Sequence, residues 1–266
     1  NYSSKHFIQT KDIDLSDYRA GNGWEPIADF TGTYNGQHYK IKNLFINKYN
    51  ESTAQKIGLF GTLKAQAKLE KINLEDLQIF ANKSDNVGSL VGYIIGEDVV
   101  IEKCGATDIF IFGEDSIGGL VGHNQGVIKQ SYAIGNINGK EAVGGLVGCN
   151  ETASAGGIIE NSYAQGHVSG NKDVGGLVGA MAGTAPYIKS SYAACGITAT
   201  DNIGGLVGSM ATGVVVASFY DTNISGQNDT GKGTLKTTTE MKDSNTFAGW
   251  DTSIWNFPAN SYPTLK

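Results

Sequence analysis

The chain has 266 residues, 37 of them glycine and 4 proline, and a formal net charge of −6 from 26 acidic and 20 basic side chains. Arg19 is the single arginine, so the clustered Lys and Arg of a nucleic-acid surface are missing and that partner class is excluded. Abundant glycine with so little proline excludes collagen and a Pro/Gly-rich disordered tract, while 40% hydrophobic residues suffice for a core.

In chain order, residues 1–56 precede any repeat and are assigned to an N-terminal coil and cap. No basic segment followed by an apolar one opens them, so any export signal is expected to have been removed or to lie outside this sequence. From Ile57 a Gly-rich phrase recurs, starting at Ile57, Val87, Ile117, Val143, Val174 and Ile203, in steps of 30, 30, 26, 31 and 29 residues. A period of this size marks stacked supersecondary units, none of which can bury its apolar face alone. A second phrase follows each copy, as in Ile128-Lys-Gln-Ser-Tyr-Ala, Ile159-Glu-Asn-Ser-Tyr-Ala and Ile188-Lys-Ser-Ser-Tyr-Ala. A third, Gly135-Asn-Ile-Asn-Gly or Gly166-His-Val-Ser-Gly, closes the unit.

Each phrase has the length of a short strand, is rich in Val, Ile and Tyr, and ends on Gly, Asn or Ser. No repeat spaces its apolar residues as a helix would. Three strands per coil of about 30 residues predict a parallel β-helix, with equivalent residues stacked at the ~4.8 Å strand spacing. Glycine fits the corners, where the chain needs unusual φ or close backbone approach. The pattern leaves open which of Leu120 and Val121 faces inward. Ile203 to Tyr220 lacks any charge, but it contains the sixth copy and is read as an ordinary coil, with no membrane insertion in this segment.

Residues 227–266 follow the six repeats of 57–226. Thr237-Thr-Thr-Glu240 has capping-box spacing and predicts a short helix from about Thr238. Trp250 and Trp255, with Phe247, Phe257 and Tyr262, are expected to lie over the last coil as a cap, since a solenoid exposes its core at its ends. The alternative use of Trp250 and Trp255 is as a platform for sugar rings. The whole is read as one domain.

The repeat phrases resemble the GLUG repeats of bacterial surface adhesins and of non-catalytic regions of immunoglobulin A1 metallopeptidases, over residues 57–226. The stretches before the repeats, such as Phe30-Thr-Gly-Thr-Tyr-Asn-Gly, and the closing Tyr262-Pro263 segment are similar to the usual flanks. The resemblance implies a right-handed β-helix on an exported, extracellular or cell-surface protein, and no reaction.

No chemistry-bearing motif contradicts this. His6, His38, His123 and His167 share no metal-ligand spacing, and HExxH, GxSxG, Cys-x-x-Cys and a P-loop are all absent. Cys104, Cys149 and Cys195 occupy three different repeat positions, so no disulfide ladder is expected. A carbohydrate-active β-helix enzyme, the alternative function, would need one coil carrying converging acids, whereas these coils repeat nearly unchanged. Three columns remain. Tyr132, Tyr163 and Tyr192 form an aromatic file, either packed or open to sugars and proteins. Asp85, Asp115, Glu141 and Asp201 form an acidic column, broken by Lys172, which is either a set of solvated turns or a place for Ca²⁺. Glu70, Glu102, Lys129, Glu160 and Lys189 suit an exposed ladder that fixes register. The expected partner is a host surface protein or a glycan, with no cofactor.

Overall fold

The computed structural model describes residues 2–49, 51, 56–152 and 156–266. They wind into a parallel β-solenoid of about 7 turns, roughly 29 residues per turn. Four sheets wall it. The first has eight three-residue strands, from His6–Ile8 through Val127–Lys129 to Val214–Val216. The second has ten, including Gly105–Phe112, Tyr132–Asn138, Tyr163–Ser169, Tyr192–Thr198 and Phe219–Asp221. Four strands, Asp115–Gly118, Glu141–Gly144, Lys172–Gly175 and Asp201–Gly204, make the third, and six from Phe60–Leu63 to Val207–Met210 make the fourth.

Register holds from coil to coil, so one sequence position becomes one column. Ile101, Ile128, Ile159 and Ile188 pair in turn along the first sheet, all fully buried. Such columns make the core continuous, and each coil contacts mainly its neighbours. In the Gly phrase the chain bends between strands of the third and fourth sheets, so Leu120 and Val121 are both buried; the alternation expected of one straight strand does not apply there.

The corners match the sequence expectation only in part. Gly96, Gly157, Gly183 and Gly213 take positive φ between the fourth and first sheets. Left-handed φ also falls on non-glycine residues: Lys71, Lys103, Gln130, Asn161, Ser190 and Ala217 at one corner, and Asn86, Ser116, Ala142, Asp173 and Asn202 at another, with φ between 44° and 60°. Isolated residues of this kind tolerate that region at a modest cost. The phrase glycines serve close packing instead. A Cβ on Gly145 would stand 2.2 Å from the Gly176 carbonyl oxygen and 2.8 Å from the Ala164 Cβ.

Ser131, Ser162, Ser191 and Ser218 line the corner beside the first set. Each hydroxyl donates to the carbonyl two residues before it and accepts the amide of the preceding coil, at 3.1–3.2 Å. Buried polar groups in the turns are thereby paired without interrupting the stack.

Beyond Asp221, helix α1 (Thr222–Ser225) and the loop to Gly233 close the last coil, and helix α2 (Thr238–Met241) starts at the expected capping box, with both Thr237 and Glu240 bonds made. The aromatic tail departs from expectation. It does not cover the end of the last coil; it turns back as a strap along the outer face of the second sheet, where Met241, Phe247, Trp250 and Trp255 pack on Tyr163 and Tyr192. Trp255 donates to Asn161 Oδ1 at 3.2 Å, Trp250 to the Ala217 carbonyl at 3.0 Å, and Tyr262 to the buried Asp221 carboxylate at 2.6 Å. The strap follows the side wall because outward-facing Tyr163, Tyr192 and Phe219 offer a large apolar stripe there.

Candidate functional site

The aromatic file is built by strand register. Tyr132, Tyr163 and Tyr192 are direct partners on adjacent strands, and their neighbours Ala133, Ala164 and Ala193 enter the core, which sends the rings outward. The rings stack at 5.1 Å and 5.0 Å, tilted by 7° and 2°, and Tyr262 of the strap stacks on Tyr192 at 6.1 Å. The strap covers most of the file. Tyr192 is 0% exposed, Trp255 1%, Tyr163 5% and Trp250 5%, so these four residues present no open ring to a ligand. Burial raises the phenol pKa of Tyr163 and Tyr192, which stay neutral donors. Tyr132 at the end of the file is half-buried, its ring lying over Gly105, where a Cβ would come within 2.2 Å of it.

The acidic column is less uniform in space than in sequence. Asp115, Glu141, Lys172 and Asp201 are successive partners along the third sheet, and Lys172 bonds Glu141 at 2.6 Å. Glu114 and Lys140, each one residue before a column acid, form a second ion pair beside it. Sequence reading missed this pair because its partners lie 26 residues apart; the signal was their shared position, just before the column. Where no lysine intervenes the carboxyls crowd. Burial first and Glu114 next raise the Asp85 pKa, and burial, Asp85 and Glu141 raise that of Asp115. Among the described residues no three His, Cys, Asp or Glu side chains converge to hold a metal ion.

The outward ladder of the first sheet is partly paired: Glu102 lies 3.6 Å from both Lys68 and Lys129. Exposed pairs of this kind contribute about 0–1 kcal/mol each.

A further cluster, which sequence reading did not single out, lies on the outer face of the fourth sheet. His123 Nε2 bonds Glu151 at 2.8 Å, Tyr93 packs on the imidazole at 4.6 Å, Lys56 sits 5.0 Å above the Tyr93 ring, and Cys149 is the strand partner of His123. A Cys–His pair beside a carboxylate suggests a nucleophile, but the chemistry opposes it. Burial, then Glu151, pushes the Cys149 thiol up to about 12, and burial lowers the His123 pKa despite the carboxylate, so the thiol stays protonated at neutral pH. Cys104 and Cys195 are buried and free, with thiols likewise at about 12. Among the described residues no helix is long and apolar enough to cross a membrane.

Comparison with known proteins agrees with this architecture. Residues 113–138 and 139–169 match the family model of the GLUG motif. Halomucin of Haloquadratum walsbyi is 33% identical over 120 residues, which are 43% of this chain and 1% of that protein. A Gly-rich membrane protein of Evansella cellulosilytica is 50% identical over 56 residues, 20% of this chain and 6% of the other. The chain thus spans a small fraction of the curated relatives it matches. Among solved structures, an immunoglobulin A1 protease-like protein from Bacteroides ovatus superimposes with a TM-score of 0.73 at 22% identity, covering 99% of this chain and 86% of that one. That likeness establishes the fold alone.

Proposed function

We propose that this solenoid, two coils of which carry the GLUG motif, is a non-enzymatic adhesive module of a surface or secreted protein. It would present a long rigid side wall to a host surface protein or a glycan. The observation that carries the reading is that strand register sets the outward residues in straight columns along the wall, where the Cys149 thiol stays protonated and Glu114 and Glu141 are paired with lysines rather than poised as an acid and base. The names of the two relatives, a halomucin and a membrane protein, support placement at a cell surface. Multivalent contact along a repeated face gives avidity without any single deep site.

An array of host proteins and glycans probed with the chain tests this. Binding that persists over hours with the array ligand intact is the expected result. Release of shortened saccharide or peptide would replace the module by an enzyme, and an array without any retained ligand would remove the adhesive reading.

A further inference from the structure

One corner column breaks the charge balance of the rest. Lys71 and Lys103 stand at left-handed turn positions of successive coils, with φ of 54° and 55°, and among the described residues neither makes an ion pair. The acids nearest in sequence are already engaged: Lys68 holds Glu70 at 2.5 Å and lies 3.6 Å from Glu102, which Lys129 also approaches, while Lys40 holds Glu75 at 2.8 Å. Two stacked cations at strand spacing repel each other. They are an unexpected concentration of positive charge in a chain of net charge −6.

Beside them lies a pocket of about 210 Å³, lined by His38, Lys103, Asn73, Gln130, Tyr132 and Lys266. Lys266 comes from the end of the strap, and its ammonium also donates to the Thr252 carbonyl at 2.6 Å. Asn73 donates its amide to the His38 carbonyl at 3.0 Å, which leaves its side-chain oxygen as an acceptor. Apart from Leu265 and the Tyr132 ring the lining is polar. Burial first, and then the charges of Lys71 and Lys103, lower the His38 pKa.

We propose that this pocket, where the strap meets the Lys71–Lys103 turn column, binds the carboxylate of an acidic sugar, a uronate or a sialate. Lys103 and Lys266, the two lysines of the lining, meet the carboxylate with charge-assisted hydrogen bonds. The amides of Gln130 and Asn73 and the Tyr132 hydroxyl suit a ring bearing hydroxyls. The assignment rests on the adhesive reading and names a ligand class for it.

The test is an NMR titration of the intact chain followed at the His38 ring, with glucuronate, N-acetylneuraminate, glucose, hexaglutamate and inorganic sulfate as probes. Either acidic sugar is expected to bind at least roughly tenfold more tightly than glucose, the tighter of the two identifying the source. Lys103→Asn, at an exposed position whose backbone Asn readily adopts, is expected to weaken binding roughly tenfold while melting stays unchanged. Equal affinity for glucose, or unchanged affinity in Lys103→Asn, overturns the site. Sulfate or hexaglutamate binding as tightly as the sugars overturns the ligand class. Array binding that survives Lys103→Asn defeats this pocket and leaves the adhesive reading standing.

Discussion

The two ends of the solenoid face the same problem and meet it with different chemistry. At the N-terminal end the chain supplies backbone: Ile27 and Phe30 bridge in parallel to Phe60 and Leu63 and so continue the fourth sheet. Side chains fill the interior loosely there. Phe7, Phe30, Tyr34 and Phe60 surround a cavity of about 370 Å³, and Leu15, Trp24 and Ile41 help to line another of about 170 Å³. At the C-terminal end side chains stand in for a missing coil. In inner coils the carbonyl of Ile57 or Val87 accepts the amide of the next coil; at the last coil the Ile203 carbonyl accepts Lys232 Nζ at 3.3 Å, and the Gly208 carbonyl accepts it at 2.6 Å. The Gly205 amide, which in an inner coil finds a carbonyl, donates to Asp229 at 2.8 Å. Ending a stack therefore sets two separable demands, pairing of edge backbone and burial of apolar surface. One end meets the first by chain and leaves the second loose, while the other meets the first by a Lys–Asp turn and invests its aromatics in the side wall.

The largest expected effect separates the strap from the ends. Trp255→Ala should cost about 3–5 kcal/mol, the range for deleting a buried Trp, because the indole is 1% exposed and packs on Tyr163 and Tyr192. Trp24→Ala should cost less, since that indole is only half-buried beside a cavity. Hydrogen exchange on the Trp255 variant should rise in Tyr163–Ser169 and Tyr192–Thr198 while the first coils remain protected, as expected of a stack held by nearest-neighbour contacts. Equal exchange along the whole length would mean that the strap clamps the entire solenoid rather than its last coils.

The polar closure comes next. Asp229→Ala leaves the Gly205 amide without its acceptor and Lys232 without the carboxylate 3.8 Å away, which should cost about 1–3 kcal/mol. Exchange of the Gly205 and Leu206 amides should accelerate, and Asp229→Asn, which keeps an acceptor oxygen, should recover part of the loss. Unchanged protection at Gly205 would show that the stack ends without help from this turn.

Much of this was legible in the sequence because a stacked fold converts spacing into structure. The period from Ile57 to Ile203 gave the solenoid, the second phrase gave the column of Ile128, Ile159 and Ile188, and Thr237 with Glu240 gave helix α2. Four features were hidden, each for a physical reason. A two-residue bend defeats the alternation rule, so Leu120 and Val121 could not be sorted. Left-handed backbone at Lys103 or Ala142 leaves no glycine to mark it, whereas the glycines of the repeated phrase, such as Gly145, report close packing. The course of the strap depends on an apolar stripe made by Tyr163 and Tyr192, whose exposure to a covering segment is a tertiary fact. The same holds for the Lys71 and Lys103 column, visible only once the engaged neighbours of Glu70 and Glu102 are known.

The smallest expected effect lies on the acidic column, midway between the ends. The folded-state pKa of Asp115 is raised, by burial first and then by Asp85 and Glu141, so folding resists its ionisation. The stabilisation of the protonated form is fully present below the unfolded value near 3.8 and is lost as pH rises through the folded pKa. At pH 7 Asp115→Asn should therefore melt slightly higher than the parent chain, an advantage that fades through the carboxylate range and vanishes where both forms are neutral. Added salt should shrink only the share due to Asp85 and Glu141, because burial of the carboxyl is not screened. A variant that melts lower at pH 7 would mean that the carboxylate accepts bonds worth more than the repulsion it suffers. The same pair of proteins tests the cation alternative. If millimolar Ca²⁺ raises the melting temperature of the parent and not of Asp115→Asn, relative to chelator, the crowded carboxyls are a site; identical curves leave them as turn residues whose repulsion the neighbouring Lys140 and Lys172 already moderate.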